Sequence, residues 1–86
     1  MQNPELFMDK NLTVYPIPTG NELNVFATEN IREIRIMDMQ GGLVQHHILT
    51  GVRRSVIDIK ALPDSTYIVE ALFDNRKTGR SVFVKM

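Results

Sequence analysis

Apolar and polar residues alternate along most of this chain, with the period of two that a half-buried β-strand requires. In residues 56–73, Ile57 and Ile59 alternate with Asp58 and Lys60, the run from Leu62 to Thr66 breaks the pattern, and Tyr67, Val69, Ala71 and Phe73 then share one face. Two strands meeting at a corner are predicted. Pro63 has no N–H to give a ladder, so the chain leaves the first strand near it. Elsewhere the alternation predicts strands at residues 12–15, 22–27, 31–37, 43–50 and 80–86. Between them lie Pro16-Ile17-Pro18-Thr19-Gly20-Asn21, a polar turn at 28–30, Asp38-Met39-Gln40-Gly41-Gly42, a turn at 51–54 and a polar turn at 74–79.

About seven short strands with regular turn signals, and no helical period anywhere, predict an all-β chain. The fold expected is an Ig-like antiparallel β-sandwich of about seven short strands. The spacing Leu62-Pro63-x-x-x-Tyr67 suits the corner at which such sandwiches start a strand with an inward tyrosine whose hydroxyl returns to an upstream backbone group. An ordinary core tyrosine is the alternative. The domain is expected over residues 12–86, with residues 1–11 a linker or tail in which Leu6 and Phe7 touch the domain.

Composition narrows the function classes. The chain has 86 residues and a formal net charge of zero, which gives one small domain and argues against a nucleic-acid or anionic-membrane surface. It has no cysteine, so disulfides, thiolate metal sites and a Cys nucleophile are excluded. No apolar run approaches the ~20 residues of a membrane-spanning helix, so no transmembrane segment is expected. The first ten residues lack the basic-then-apolar pattern of a signal peptide. Either the domain stays in the cytoplasm or it belongs to a longer precursor exported by a signal far upstream.

Candidate chemistry is sparse. His46 and His47 are neighbours and would point to opposite faces of a strand, which does not suit one metal. Asp38 beside Gly41 and Gly42 lacks the pattern of a phosphate or calcium loop and reads as a turn-forming Asp capping its own loop. Arg53-Arg54 reads as a solvated hairpin turn. Asn11-Leu12-Thr13 spells a glycosylation triplet, relevant only in a glycosylating secretory route. No nucleophile with a histidine and a third group stands out, so neither an enzyme nor a cofactor is expected.

Several motifs, in order, carry a resemblance. Tyr15-Pro16-Ile17-Pro18-Thr19-Gly20, Glu22-Leu23-Asn24-Val25, Ile34 to Gly41, Ile57-Asp58-Ile59 with Leu62-Pro63 and Tyr67-Ile68-Val69, and Val82-Phe83-Val84-Lys85 resemble the C-terminal sorting domain of type IX secretion substrates, the Por secretion system of Bacteroidetes. Members typically show Tyr-Pro-Asn-Pro, Gly-x-Leu-x-Val, Asp-x-x-Gly-Lys, Leu-x-x-Gly-x-Tyr and a Lys-rich closing strand. The resemblance covers residues 12–86. Three positions depart from it: Ile17 stands for Asn, Gly42 for Lys or Arg, and Ser65 for Gly. The last is the change most apt to alter backbone geometry.

The resemblance implies an address label on a larger cargo protein. Such a domain folds in the periplasm, is recognised by the outer-membrane translocation machinery, and is usually removed by a sortase-like peptidase as the cargo reaches the cell surface or is secreted. The residues expected to form or support the recognised surface are Asp38, Gly41, Tyr67, Val82, Phe83, Val84 and Lys85. The final strand is expected at an edge that a partner extends by β-augmentation, with Lys85 discouraging indiscriminate pairing. A strand-mediated dimer fits the same picture, and cleavage would fall before Leu12. The alternative is an Ig-like adhesive or spacer module with no sorting role.

Overall fold

A computed structural model describes residues 11–86. The expectations for residues 1–10, including cleavage there and contact by Leu6 and Phe7, lie outside the described residues. The described chain forms β1 (Leu12–Tyr15), β2 (Glu22–Met37), β3 (Leu43–Asp58), β4 (Ser65–Phe73) and β5 (Thr78–Lys85), with no helix among the described residues. All pairs are antiparallel. The order is β1-β2-β4-β5, with β3 also on β2.

The two 16-residue strands organise everything else. Residues 22–26 of β2 pair with β1 and with residues 54–58 of β3, whereas residues 31–37 pair with β4 and with the first part of β3. Between them the strands bend. Phe26 faces Arg54 and Ile31 faces Val52, so five steps on β2 match two on β3; Glu33 then faces Ile48, two steps against four. Gly51 lies in this bulged region at φ 72°, a left-handed conformation that favours glycine.

The bend folds the sheet over on itself. Gln45 Nε2 donates to the Asp58 carbonyl at 3.3 Å, so the two ends of β3 meet. Leu23, Val25 and Ile57 from one half and Ile34, Ile36, Val69, Phe73 and Phe83 from the other fill one buried cluster. Burial of each such side chain is worth about 1.5–3 kcal/mol, the main term holding so small a domain together.

All-β is therefore right, but the seven short strands are corrected to five in one curled open sheet rather than the expected Ig-like sandwich. The seven alternating segments are all in strands; two of the connections between them are not turns. At residues 28–30, Thr28 N–H donates to the Asn11 carbonyl and Asp74 N–H donates to the Asn30 carbonyl, at 3.1 and 3.0 Å. Backbone groups that a turn would leave to water are handed from the β1 side to the β4 side, so β2 continues. Residues 51–54 likewise belong to β3, and the Arg53-Arg54 hairpin is corrected too: Arg54 stacks its guanidinium over the Phe26 ring at 5.1 Å.

Candidate functional site

The fold-over gives the sheet two ends. Residues 28–30, the β3 bend, the β4–β5 turn and Asn11 lie at one, tied by Asn11–Thr28 and Asn30–Asp74. At the other lie the β1–β2 loop, the β2–β3 turn, the β3–β4 corner and the last residues of β5. The β3–β4 corner and β5 meet where Ser65 pairs with Lys85, and the β1–β2 loop reaches β5 through a bridge from Thr19. All seven residues singled out in the sequence gather toward this second end. With β4 between them, the β2–β3 turn and the tip of β5 are two strand spacings apart, about 10 Å.

The β2–β3 turn is built by Asp38. Its Oδ1 accepts from the N–H groups of Gln40 and Gly42 at 3.0 and 2.8 Å, the self-capping expected of a turn aspartate. Gly41 takes φ 89°, beyond the easy reach of other residues. A Cβ at Gly42 would lie 2.9 Å from Asp38 Oδ2. The glycine there, in place of the family's basic residue, leaves room for the carboxylate to wrap the loop.

The corner closes on Tyr67. Its ring is buried and stacks on Phe83 with centroids 5.4 Å apart. Its hydroxyl donates to the Pro63 carbonyl at 2.5 Å. Ser65, standing where the family has Gly, is the first residue of β4 and pairs with Lys85. Arg76 is the one non-glycine at positive φ among the described residues, so Ser65 needs no left-handed backbone.

The final strand is less open than an edge strand would be. β4 pairs along one side. On the other, Thr19 N–H donates to the Val84 carbonyl and Met86 N–H donates to the Thr19 carbonyl, both at 2.9 Å. Phe83 and Lys85 are buried; Val82 and Val84 are half-exposed on the opposite face. Lys85 is thus no guard on the rim: its Nζ lies 3.5 Å from Asp64 Oδ1 and ties the strand to the corner. Tyr67 and Phe83 are both buried in the folded domain.

Sequence reasoning missed three contributors. Thr19 is a buried polar residue whose hydroxyl donates to the Glu22 carbonyl while its backbone bridges to β5. Met37 and Ile68 are register partners, and Ile68 pairs with Val82. The three side chains form an apolar row across the outer face, with Val84 beside it. The methionine and isoleucine sit in alternating runs that pointed to strands; only the register places them beside Val82.

The next row along that face is charged. Arg80 Nε donates to Glu70 Oε2 at 3.1 Å, and Arg35 lies 3.9 Å from Glu70 and 3.7 Å from Glu33. His46 Nε2 donates to Glu33 Oε1 at 2.9 Å. This hydrogen bond, then the positive charges of His46, Arg35 and Arg32, hold the Glu33 carboxyl below its ordinary pKa against a partial desolvation that opposes them. His47 turns the other way, to Gln45 Oε1 at 2.9 Å. The two imidazoles do not share a ligand, and no cluster of three or more His, Cys, Asp or Glu side chains suited to a metal occurs among the described residues.

No helix of the described residues is long and apolar enough to cross a membrane. No curated protein matches the chain. The family described as the secretion system C-terminal sorting domain matches residues 13–85, the whole sheet but for its first residue, Leu12. The chain belongs to that family, the C-terminal sorting signals of type IX secretion.

Proposed function

We propose that this domain directs a larger cargo protein through the type IX machinery to the cell surface, and that the machinery reads the end of the sheet where the motifs gather. The observation that supports this is their convergence: the Asp38 turn, the Pro63–Tyr67 corner and the end of β5 are far apart in sequence and adjacent in space. The surface offered there is the half-exposed Met37, Val82 and Val84, with the buried Ile68 filling the row between Met37 and Val82, bordered by the Asp38–Gly41 turn. Tyr67, Phe83 and Lys85 hold it in place. A label of this kind needs no catalytic group.

The domain folds in the periplasm in transit, and a sortase-like peptidase then cuts before Leu12. Asn11 lies at the end of the sheet remote from the motifs, so cargo and machinery engage opposite ends. The test is a transplant. Residues 1–86 are fused to the C-terminus of an inert exported reporter in a Bacteroidetes host, and surface reporter is measured with and without the translocon. Translocon-dependent display is expected. Periplasmic retention of a stably folded fusion would overturn the proposal in favour of a spacer or adhesive module.

A further inference from the structure

The long strand β3 has β2 on one side and no strand on the other among the described residues. Natural edge strands are usually guarded by Lys, Pro or inward charges. Here residues 43–52, Leu-Val-Gln-His-His-Ile-Leu-Thr-Gly-Val, contain no Asp, Glu, Lys, Arg or Pro. Leu43, Val44 and Ile48 are 58%, 40% and 68% exposed.

The backbone of this edge has a definite phase. Asp38 N–H donates to the Gly42 carbonyl, so even-numbered residues of β2 turn their backbone groups toward β3. Ile36 pairs with Gln45 and Ile34 with His47. Gln45 and His47 are therefore spent on β2, and His46 and Ile48 present N–H and C=O outward; Val44 lies in the register shift between Ile36 and Met37 and Thr50 in the one before Val52.

We infer that this edge is a docking site for a second copy of the same chain, pairing β3 with β3 antiparallel about a twofold axis at His46. The segment between the β2–β3 turn and the bulge at Gly51 has its middle at residues 46–47, and only an even-numbered centre among these matches the outward backbone groups. That register sets Val44 of each copy opposite Ile48 of the other and uses the segment's full length. A chain of zero net charge does not repel its copy; residues 43–52 bring no Asp, Glu, Lys or Arg against their own counterparts, and His46, on the axis, is held by the Glu33 carboxylate of its own chain, which offsets its charge. The pairing joins two four-stranded half-sheets into one of eight and leaves β5, on the far side of β4, uncovered. An interface of two such short edges falls below the ~1,200 Å² of stable complexes, so the dimer is weak, half-formed at about 0.1–1 mM.

The test needs nothing from the sorting reading. Sedimentation equilibrium of the 86-residue chain is expected to show mass rising toward a dimer with concentration, and Ile48→Lys, at an exposed site that leaves the core intact, is expected to weaken association at least tenfold. Because the chain has no cysteine, single cysteines report the register directly. Paired residues at the axis are about 5.5 Å apart at Cα, within disulfide range. His46→Cys is expected to crosslink under mild oxidation at least ten times faster than Val82→Cys on β5. A monomer throughout, or faster crosslinking at Val82→Cys, would overturn the inference.

Discussion

The Tyr67 hydroxyl donates to the carbonyl of Pro63 four residues back, at 2.5 Å, while its ring stacks on Phe83. One side chain thus ties the corner to the final strand. Tyr67→Phe keeps the ring and loses the bond, leaving a carbonyl without its donor. The expected cost is about 1–2 kcal/mol in urea unfolding, with export of a reporter retained wherever the domain stays folded.

Phe83 is fully buried and shared by the corner and the core. Phe83→Ala should cost about 3–5 kcal/mol, a large share of the stability of so small a domain. Thermal unfolding followed by circular dichroism would register it. Export should fall in step with the folded fraction, because a buried ring is not itself read.

The outer row separates recognition from folding. Val82→Glu and Met37→Glu alter half-exposed side chains, so unfolding midpoints should move little. Surface display of a reporter should nonetheless drop several-fold. Deleting residues 81–86 should abolish display, but it also removes Phe83, so the point variants are the sharper measurement. Undiminished display of both glutamate variants would sink the assignment of this row.

Glu33 makes stability depend on acid. Its carboxyl is held below the ordinary value chiefly by the His46 hydrogen bond, so the folded state binds its proton less readily than the unfolded chain. The resulting stability is present above the unfolded carboxylate pKa and fades as pH falls through the lower folded one. In Glu33→Gln this contribution should be missing, so the two proteins should differ near neutrality and converge in acid. Urea midpoints measured from pH 7 down through the carboxylate range would check it.

The β2–β3 turn offers a fifth test. Gly42→Lys restores the residue type that the family usually carries, but its Cβ would press on Asp38 Oδ2 from 2.9 Å. The carboxylate should give way and release the Gln40 and Gly42 N–H groups to water, at about 0.5–1.5 kcal/mol. Hydrogen exchange at those two amides should quicken. Unchanged protection would show that the loop does not rely on Asp38.

What was legible in the sequence was what is local. Leu62-Pro63-x-x-x-Tyr67 specifies its own corner within six residues, and Asp38 caps a turn whose donors lie two and four residues on. The continuity of β2 and β3 was not legible, because Thr28-Glu29-Asn30 and Gly51-Val52-Arg53-Arg54 have turn-forming composition; the first stays extended by borrowing partners from Asn11 and Asp74, the second by pairing Val52 and Arg54 with Ile31 and Phe26 of β2. A trace was present. Buried positions run odd through Leu23, Val25, Ala27 and Ile31 and then even at Ile34 and Ile36, and such a change of phase marks a bulge. The burial of Lys85 depends on Asp64 across the corner, and the role of Thr19 on β5, neither of which any short window contains.

The uninterrupted course of β2 and β3 through both halves of the sheet has a bearing on how the label fails. Neither half owns its strands, so neither can melt while the other persists, and loss of structure anywhere along them is loss everywhere. A damaged copy would present no faded address to the export machinery; it would present none.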